Sequence, residues 1–258
     1  MKHIEILFIG DIVGSAGRRA VKQFILNEKN DSTVVIANAE NSAAGFGITP
    51  NVYRELLNIG VDILTGGNHI WDRAGLVGGR DVYPHLALPA NLPKAESPVL
   101  EETFFGVRVA IINLSGQVFM TGDAESPFAT FDRLYTGLEG RLILVDFHAE
   151  ATSEKAALAY YIEKRAHALF GTHTHVQTAD EQIIGDGLFF ISDVGSCAAK
   201  TSILGMSVES SLVRFTGSGK KRMKVEEKGP VIVNACRVCF DKESFKVLSF
   251  ERIKRVYE

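Results

Sequence analysis

The chain has 258 residues, 46% of them hydrophobic and 23% charged, enough for a large buried core. A formal net charge of -3 excludes the strongly basic surface of a protein that grips a nucleic-acid backbone, so no long nucleic acid is expected as a partner. No run approaches the ~18 consecutive apolar residues of a membrane span, and MKHIEILFIGD reads as a strand start, not a signal peptide.

In chain order, short apolar runs each lead into a polar or glycine-rich turn. They are IEILFIG (4–10), TVVIAN (33–38), VDILTGG (61–67), RLILVDF (141–147) and AHALFGT (166–172). Continuous apolar runs of this length suit strands covered on both faces. Helices are expected over Arg18–Asn27, from the Thr49 cap and Pro50 through Ile59, and over Ser153–Arg165. VRVAIINLSG (107–116) alternates poorly. The stretch 230–253 reads as two strands around a turn at Asp241–Ser244. Residues 115–126 and 216–229 read as exposed loops. The pattern predicts an α/β layered core with mixed pairing, in one domain over residues 1–258.

Cys197, Cys236 and Cys239 are an odd number, against a disulfide framework. Cys236 and Cys239 sit three apart in a predicted strand and so point to opposite faces, which keeps them from sharing a metal.

Polar residues cluster at predicted strand ends. Asp11 ends the first, Glu40 and Asn41 follow the second in NAEN, and Asn68 and His69 follow the third in GGNH. His148 ends another in VDFHAE, and His173 and His175 a fifth in GTHTH. In open α/β sheets the carboxyl ends of strands form the rim where ligands bind. Any one of these residues alone is an ordinary turn or half-buried residue. Together, at separate strand ends, they are the carboxylates, amides and imidazoles that hold divalent cations, and gathering them without a metal is costly. Two residues apart on an extended segment, His173 and His175 share a face. His3, His85 and His167 fall off the rim. The turn from Gly10 to Arg18 invites a phosphate cradle, but it lacks the Lys-Ser/Thr ending of a P-loop and the glycine spacing of a dinucleotide site. As a turn it could still help hold a phosphate beside the metals.

GDIVG, NAEN, GGNH, DFHAE and GTHTH together resemble the calcineurin-like metallophosphoesterases, in order from Asp11 to about Met206. AENSAAGFGIT, TGGNHIWD, LPANLP and THTHVQTADE narrow the resemblance to the YmdB-type branch, associated with cyclic-nucleotide phosphodiesterase activity. Val13 stands where the wider family has the histidine of D-x-H, and Glu40 where it has a bridging aspartate; both departures are similar to the YmdB-type branch, with Asn41 making up for the histidine.

The resemblance implies a layered metallophosphoesterase-like sandwich of mixed β-sheets flanked by helices. It places Asp11, Asn41 and His175 on one metal and Asn68, His148 and His173 on another, with Glu40 bridging. The cofactors it implies are two divalent or trivalent transition-metal ions, iron or manganese. His69 is its general acid, acting as water activated by the metals attacks phosphorus. The substrate implied is a small phosphoester, a 2′,3′-cyclic nucleotide foremost; a cytoplasmic enzyme is the expectation from the apolar pattern, and it could form a homo-oligomer. The competing expectation is a nucleotide- or metal-sensing regulatory protein with little turnover.

Overall fold

β-Branched and aromatic runs build two mixed sheets in the computed structural model, which describes residues 2–73, 82–93, 98–217, 219 and 222–258. At the centre of the first sheet, β1 (His3–Ile9) pairs in parallel with β3 (Thr33–Asn38). β4 (Ile63–Thr65) and β5 (Leu86–Ala87) extend that parallel side. On the other side of β1 lies antiparallel β13 (Val231–Asp241), which pairs with β14 (Val247–Tyr257) and with β12 (Ser196–Ala199). The two-residue β2 (Asp11–Ile12) closes the edge on β12. The second sheet runs β10 (Gln182–Ile184), β11 (Leu188–Ile191), β9 (Ala168–Thr172), β8 (Leu142–His148), β7 (Val107–Ser115) and β6 (Leu100–Phe104).

The sheets pack face to face. Ile4, Ile6, Phe8 and Ile36 of the first meet Ile111, Leu144, Phe170 and Ile191 of the second, and all are buried. Phe8 and Phe170 stack across the interface with ring centroids 4.3 Å apart. The outer face of the first sheet is covered by α1 (Gly14–Glu28) and α2 (Pro50–Asn58), and that of the second by α3 (Pro127–Tyr135) and α4 (Thr152–Ile162). A fifth helix, α5 (Val208–Phe215), follows β12. Strands covered on both faces need apolar side chains on both, which is why β3 and β8 are buried at every position. The layered α/β expectation holds. No helix among the described residues is long and apolar enough to cross a membrane.

Several boundaries differ from the sequence reading. α1 begins at Gly14, four residues ahead of Arg18, because Gly14, Ala16 and Gly17 are small enough to pack tightly on the first sheet. A Cβ at Gly17 would collide with the Cys197 carbonyl. The Gly10–Arg18 segment is therefore the short strand β2 followed by the opening of a packed helix, and the Gly14 amide donates to Asn41 O at 3.0 Å. That amide braces Asn41 and is not itself free to meet a phosphate. The Thr49 hydroxyl caps α2 by accepting from Val52 N, as its position before Pro50 predicts. α4 runs over Thr152–Ile162, ending three residues short of the expected Arg165. Asp241 Oδ1 accepts from the amides of Glu243 and Ser244, which makes the turn between β13 and β14. The three cysteines are free, Cys236 buried and Cys239 half-buried on the same strand.

His167 lies just before β9, away from the rim. Its Nδ1 accepts from Ile143 N at 2.9 Å, and its ring meets Phe245 edge-on. Burial pushes its pKa down to about 4. The folded state therefore holds this ring neutral while the unfolded chain protonates it near 6.5. Stability is unaffected above that value and falls as pH drops from about 6.5 toward 4. His167→Asn, which keeps an acceptor but does not titrate, is expected to flatten that part of a urea-midpoint-against-pH curve; an unchanged slope would refute the assignment.

Candidate metal centre

Strand geometry carries the chemistry to one rim. β3 ends at Asn38, and the chain turns there because Asn38 Oδ1 accepts from Glu40 N at 3.1 Å. The same asparagine donates through Nδ2 to Gly66 O and to Asp146 Oδ2, both at 3.0 Å, tying the rim of the first sheet to β8 of the second. Gly66 N in turn donates to Asn113 Oδ1 on β7. Glu40 thus projects between the sheets next to His148, the last residue of β8. The Glu40 Oε1 to His148 Nε2 distance is 3.0 Å, and both side chains are almost wholly buried. Glu40 Oε2 accepts from His69 N. A Cβ at Gly67 would overlap Glu40 and the His148 ring, so only glycine lets the GGNH loop close over this pair.

The other end of His148 fixes its tautomer. Thr172 Oγ1 donates to Asp146 Oδ1 at 2.7 Å, so its lone pair faces His148 Nδ1 at 2.9 Å and accepts that N–H. Nε2 therefore points at the rim, bearing a proton toward Glu40 while the ring is charged and a lone pair once that proton leaves, the arrangement that orients imidazoles bound to metals. His173 Nδ1 lies 3.1 Å from the same Nε2. Glu40, His148 and His173 each place a ligand atom within 4.8 Å of the others. His173 N donates to Asp11 Oδ2 at 3.2 Å, and His175 Nε2 lies 3.1 Å from Asn41 Oδ1. Asp11 sits at the start of β2, two residues beyond β1, and its amide donates to Gly195 O. The structure thereby gathers Asp11, Glu40, Asn41, His148, His173 and His175, with Asn68 in the loop that caps Glu40.

One sequence expectation needs correcting. His173 and His175 do not lie on an extended segment: their φ angles are 102° and 67°. Two side-chain-bearing residues in positive φ are strained by an amount on the order of 1–3 kcal/mol each. The turn sends one imidazole toward His148 and the other toward Asn41, so the pair still reaches the site by a different backbone path.

Asp193 holds that strained turn, and the sequence reading missed it. Its Oδ2 accepts from Thr174 N, from Thr174 Oγ1 and from Lys155 Nζ at 2.8–3.0 Å, and its Oδ1 accepts from Gly195 N. Lys155 is 1% exposed, a buried ammonium with this carboxylate as its ion-pair partner. Asp72, also missed, accepts at 2.7 Å from His69 Nδ1 and orients that ring, which meets Phe46 edge-on. Glu150 Oε2 lies 3.2 Å from His173 Nε2. Asp193 follows the apolar run LFFIS and could have been found by the same strand-end rule. Asp72 and Thr172 have no signal beyond proximity to a motif.

The electrostatics mark a site short of positive charge. Burial, opposed by His175 and His148, pushes the Asp11 carboxyl up to about 6. Burial also works against charge on Glu40 and His148, yet each holds the other ionised: Glu40 goes down and His148 goes up. Burial, with the neighbouring His148, takes His173 down to about 3. Asp11 Oδ1 and Asn68 Oδ1 are buried acceptors without a hydrogen-bond partner, each costly unless something positive meets it. Oxygen and imidazole donors and orphaned acceptors together fit metal cations, and among the described residues no cysteine belongs to the Glu40, His148 and His173 cluster.

A layered α/β fold with this rim of carboxylate, amide and imidazole is that of a metallophosphoesterase-like protein. The chain matches the YmdB-like protein family over residues 7–253 and belongs to it. It is 40% identical over 257 residues to the 2′,3′-cyclic-nucleotide 2′-phosphodiesterase of Bacillus subtilis strain 168, covering 97% of this chain and 96% of that one. Among solved structures it is similar to a novel phosphatase from Mycoplasma pneumoniae, with TM-score 0.89, 32% identity and coverage of 99% and 94%. A hypothetical protein from Thermus thermophilus aligns with TM-score 0.87 and 32% identity, covering 99% of this chain and 100% of that one. The rim is therefore the candidate metal centre of an enzyme that hydrolyses phosphoesters.

Two expectations follow. Asp193→Ala leaves Lys155 buried and unpaired and should lower stability by about 3–5 kcal/mol in denaturant unfolding; a loss under about 1 kcal/mol would show that the pair carries little. Manganese added to chelator-stripped protein should raise the thermal midpoint and release protons into weak buffer, because His148 gives up its proton when a cation takes the lone pair. His148→Ala should lose most of both signals; an unaltered response would place the metal elsewhere.

Proposed function

We propose that this protein is a dinuclear metal-dependent phosphodiesterase acting on 2′,3′-cyclic nucleotides, its fold a single domain. The observation that carries the reading is the buried Glu40–His148 contact at 3.0 Å, flanked by the orphaned Asp11 and Asn68 oxygens. Asp11, Asn41 and His175 would hold one ion, and Asn68, His148 and His173 the other, with Glu40 between them. Iron or manganese suits oxygen and imidazole donors without thiolate. Two such ions, when bound, supply the Lewis acidity that activates water and offsets phosphate charge.

The chain's own groups do the rest. His69 lines the cavity beside Glu40 and His173. With Nδ1 committed to Asp72, Nε2 is the nitrogen left to carry a proton toward substrate. A carboxylate on the far nitrogen fixes the tautomer and supports the imidazolium, as in other acid–base pairs. His69 Nε2 would protonate the ribose oxygen as the P–O bond breaks, opening the cyclic phosphate to a nucleoside monophosphate.

His69→Ala should retain metal while losing roughly 10²–10⁴-fold in rate on a cyclic nucleotide. The loss should shrink on a nitrophenyl phosphodiester, whose leaving group needs little protonation. Elemental analysis beside kinetics on both esters checks this. Loss of a metal, or equal slowing on both esters, would make His69 a ligand or a phosphate-positioning group.

A further inference from the structure

The cavity that opens on the metal centre is lined by two unlike sets of side chains. One is formed by Glu40, Asn41, His69, His173 and His175. The other is Phe46, Ile203, Leu204, Met206, Phe215 and Met223, around a volume of about 230 Å³. No ionisable or hydrogen-bonding side chain stands on that second wall among the described residues. Leu204 is 49% exposed and Phe215 76%, a cluster of apolar surface placed where the fold gains nothing from it unless a ligand covers it. The wall is also built, not incidental. Leu204 is held at φ 52°, Ile203 N donates to Met206 O at 2.8 Å, and Met206 bridges to Val225. His175 Nδ1 lies 3.3 Å from Leu204 O, which joins the wall directly to the rim.

We infer that this wall seats the nucleobase of the substrate and holds it by its faces alone, so that cyclic phosphates of purines and pyrimidines are accepted alike. The inference rests on the phosphodiesterase reading above and adds the part of the substrate that does not react. A site that selects one base needs donors and acceptors aimed at its edge, and leaving those unpaired is what rejects the others. This wall has none. Every base has a π-face, so stacking on Phe46 or Phe215 tolerates any of them. The methionines re-pack around rings of different size. The reacting phosphate at the imidazole side and the base at the apolar side then account for both halves of one cavity.

The test compares kcat and KM of metal-loaded protein on the four 2′,3′-cyclic nucleotides and on glycerol 1,2-cyclic phosphate, which has the same reacting group and no base. The four nucleotides should lie within several-fold of one another and each at least about tenfold above the base-free ester in kcat/KM. Met206→Ala and Leu204→Ala should raise KM for nucleotides far more than they lower kcat, narrowing the gap to the base-free ester. Leu26→Ala removes an exposed apolar side chain from α1, away from this cavity, and should behave as wild type. Equal use of the base-free ester, strong preference for one base, or variants that change the sedimenting species without changing KM would overturn the inference, the last by showing that a second copy covers the wall. Calorimetric binding of a nucleoside 3′-monophosphate against glycerol phosphate separates this from the catalytic reading. A nucleotide preference lost in Met206→Ala supports the base seat even where neither ester is turned over, in which case the phosphodiesterase reading fails alone. Equal binding of the two ligands overturns the base seat whatever the turnover.

Discussion

Glu40 belongs to the first sheet and His148 to the second, and their 3.0 Å contact is the point where the two sheets meet at the rim. Two ionised groups with almost no solvent access are tolerable only when each satisfies the other and the remaining lone pairs are met. That constraint reaches far into the fold. Asn38 must hold Glu40 from one side while reaching Asp146 on the other, and Thr172, itself held by Asp146, must hold His148. Gly67 must stay without a Cβ for the loop to close above them. Below the rim the same two sheets are pinned by an apolar seam in which Phe8 stacks on Phe170. The relative placement of the sheets, set by that seam, is what sets the distance between a carboxylate and an imidazole 108 residues apart in the chain. Shape complementarity in the interior thus becomes electrostatic geometry at its edge.

Much of this was legible in the sequence, for a physical reason. Strands buried on both faces carry few polar groups along their length, so most such groups collect where the strands stop. Asp11, Glu40, Asn68, His148, His173 and His175 obey that rule, and five motifs in order made it recognisable. The partners that make those groups work were less visible. Lys155 sits on a helix whose pattern looks merely amphipathic, yet it is buried against Asp193. Thr172 and Asp146 look like ordinary strand residues until β8 and β9 pair and bring Thr172 between Asp146 and the His148 ring. Hydrogen bonds between neighbouring strands depend on register, which a sequence period does not encode. The left-handed turn at His173 and His175 was invisible as well, since the residues are not glycine and nothing in H-T-H announces positive φ.

That turn also separates residues that support the site from residues that act in it. Asp193 and Asp11 are both buried carboxylates beside the same loop, but they are loaded differently. Asp193 meets two amides, a hydroxyl and an ammonium, so both of its oxygens are fully engaged within the protein. Its work is to offset the strain of the H-x-H turn and keep two imidazoles aimed at the rim. Asp11 has one oxygen on His173 N and the other without a hydrogen-bond donor, and its burial raises its pKa instead of being compensated. A buried acceptor left in that state is a standing cost to the fold, of the order of 1–3 kcal/mol. Folding alone gives no reason to keep it, whereas a cation at the rim removes the cost. The same distinction sorts the amides: Asn38 uses its carbonyl and its amide wholly within the scaffold, while Asn68 leaves Oδ1 unmet beside Glu40. The satisfied groups frame the rim, and Asp11 Oδ1 and Asn68 Oδ1 remain there as open acceptors.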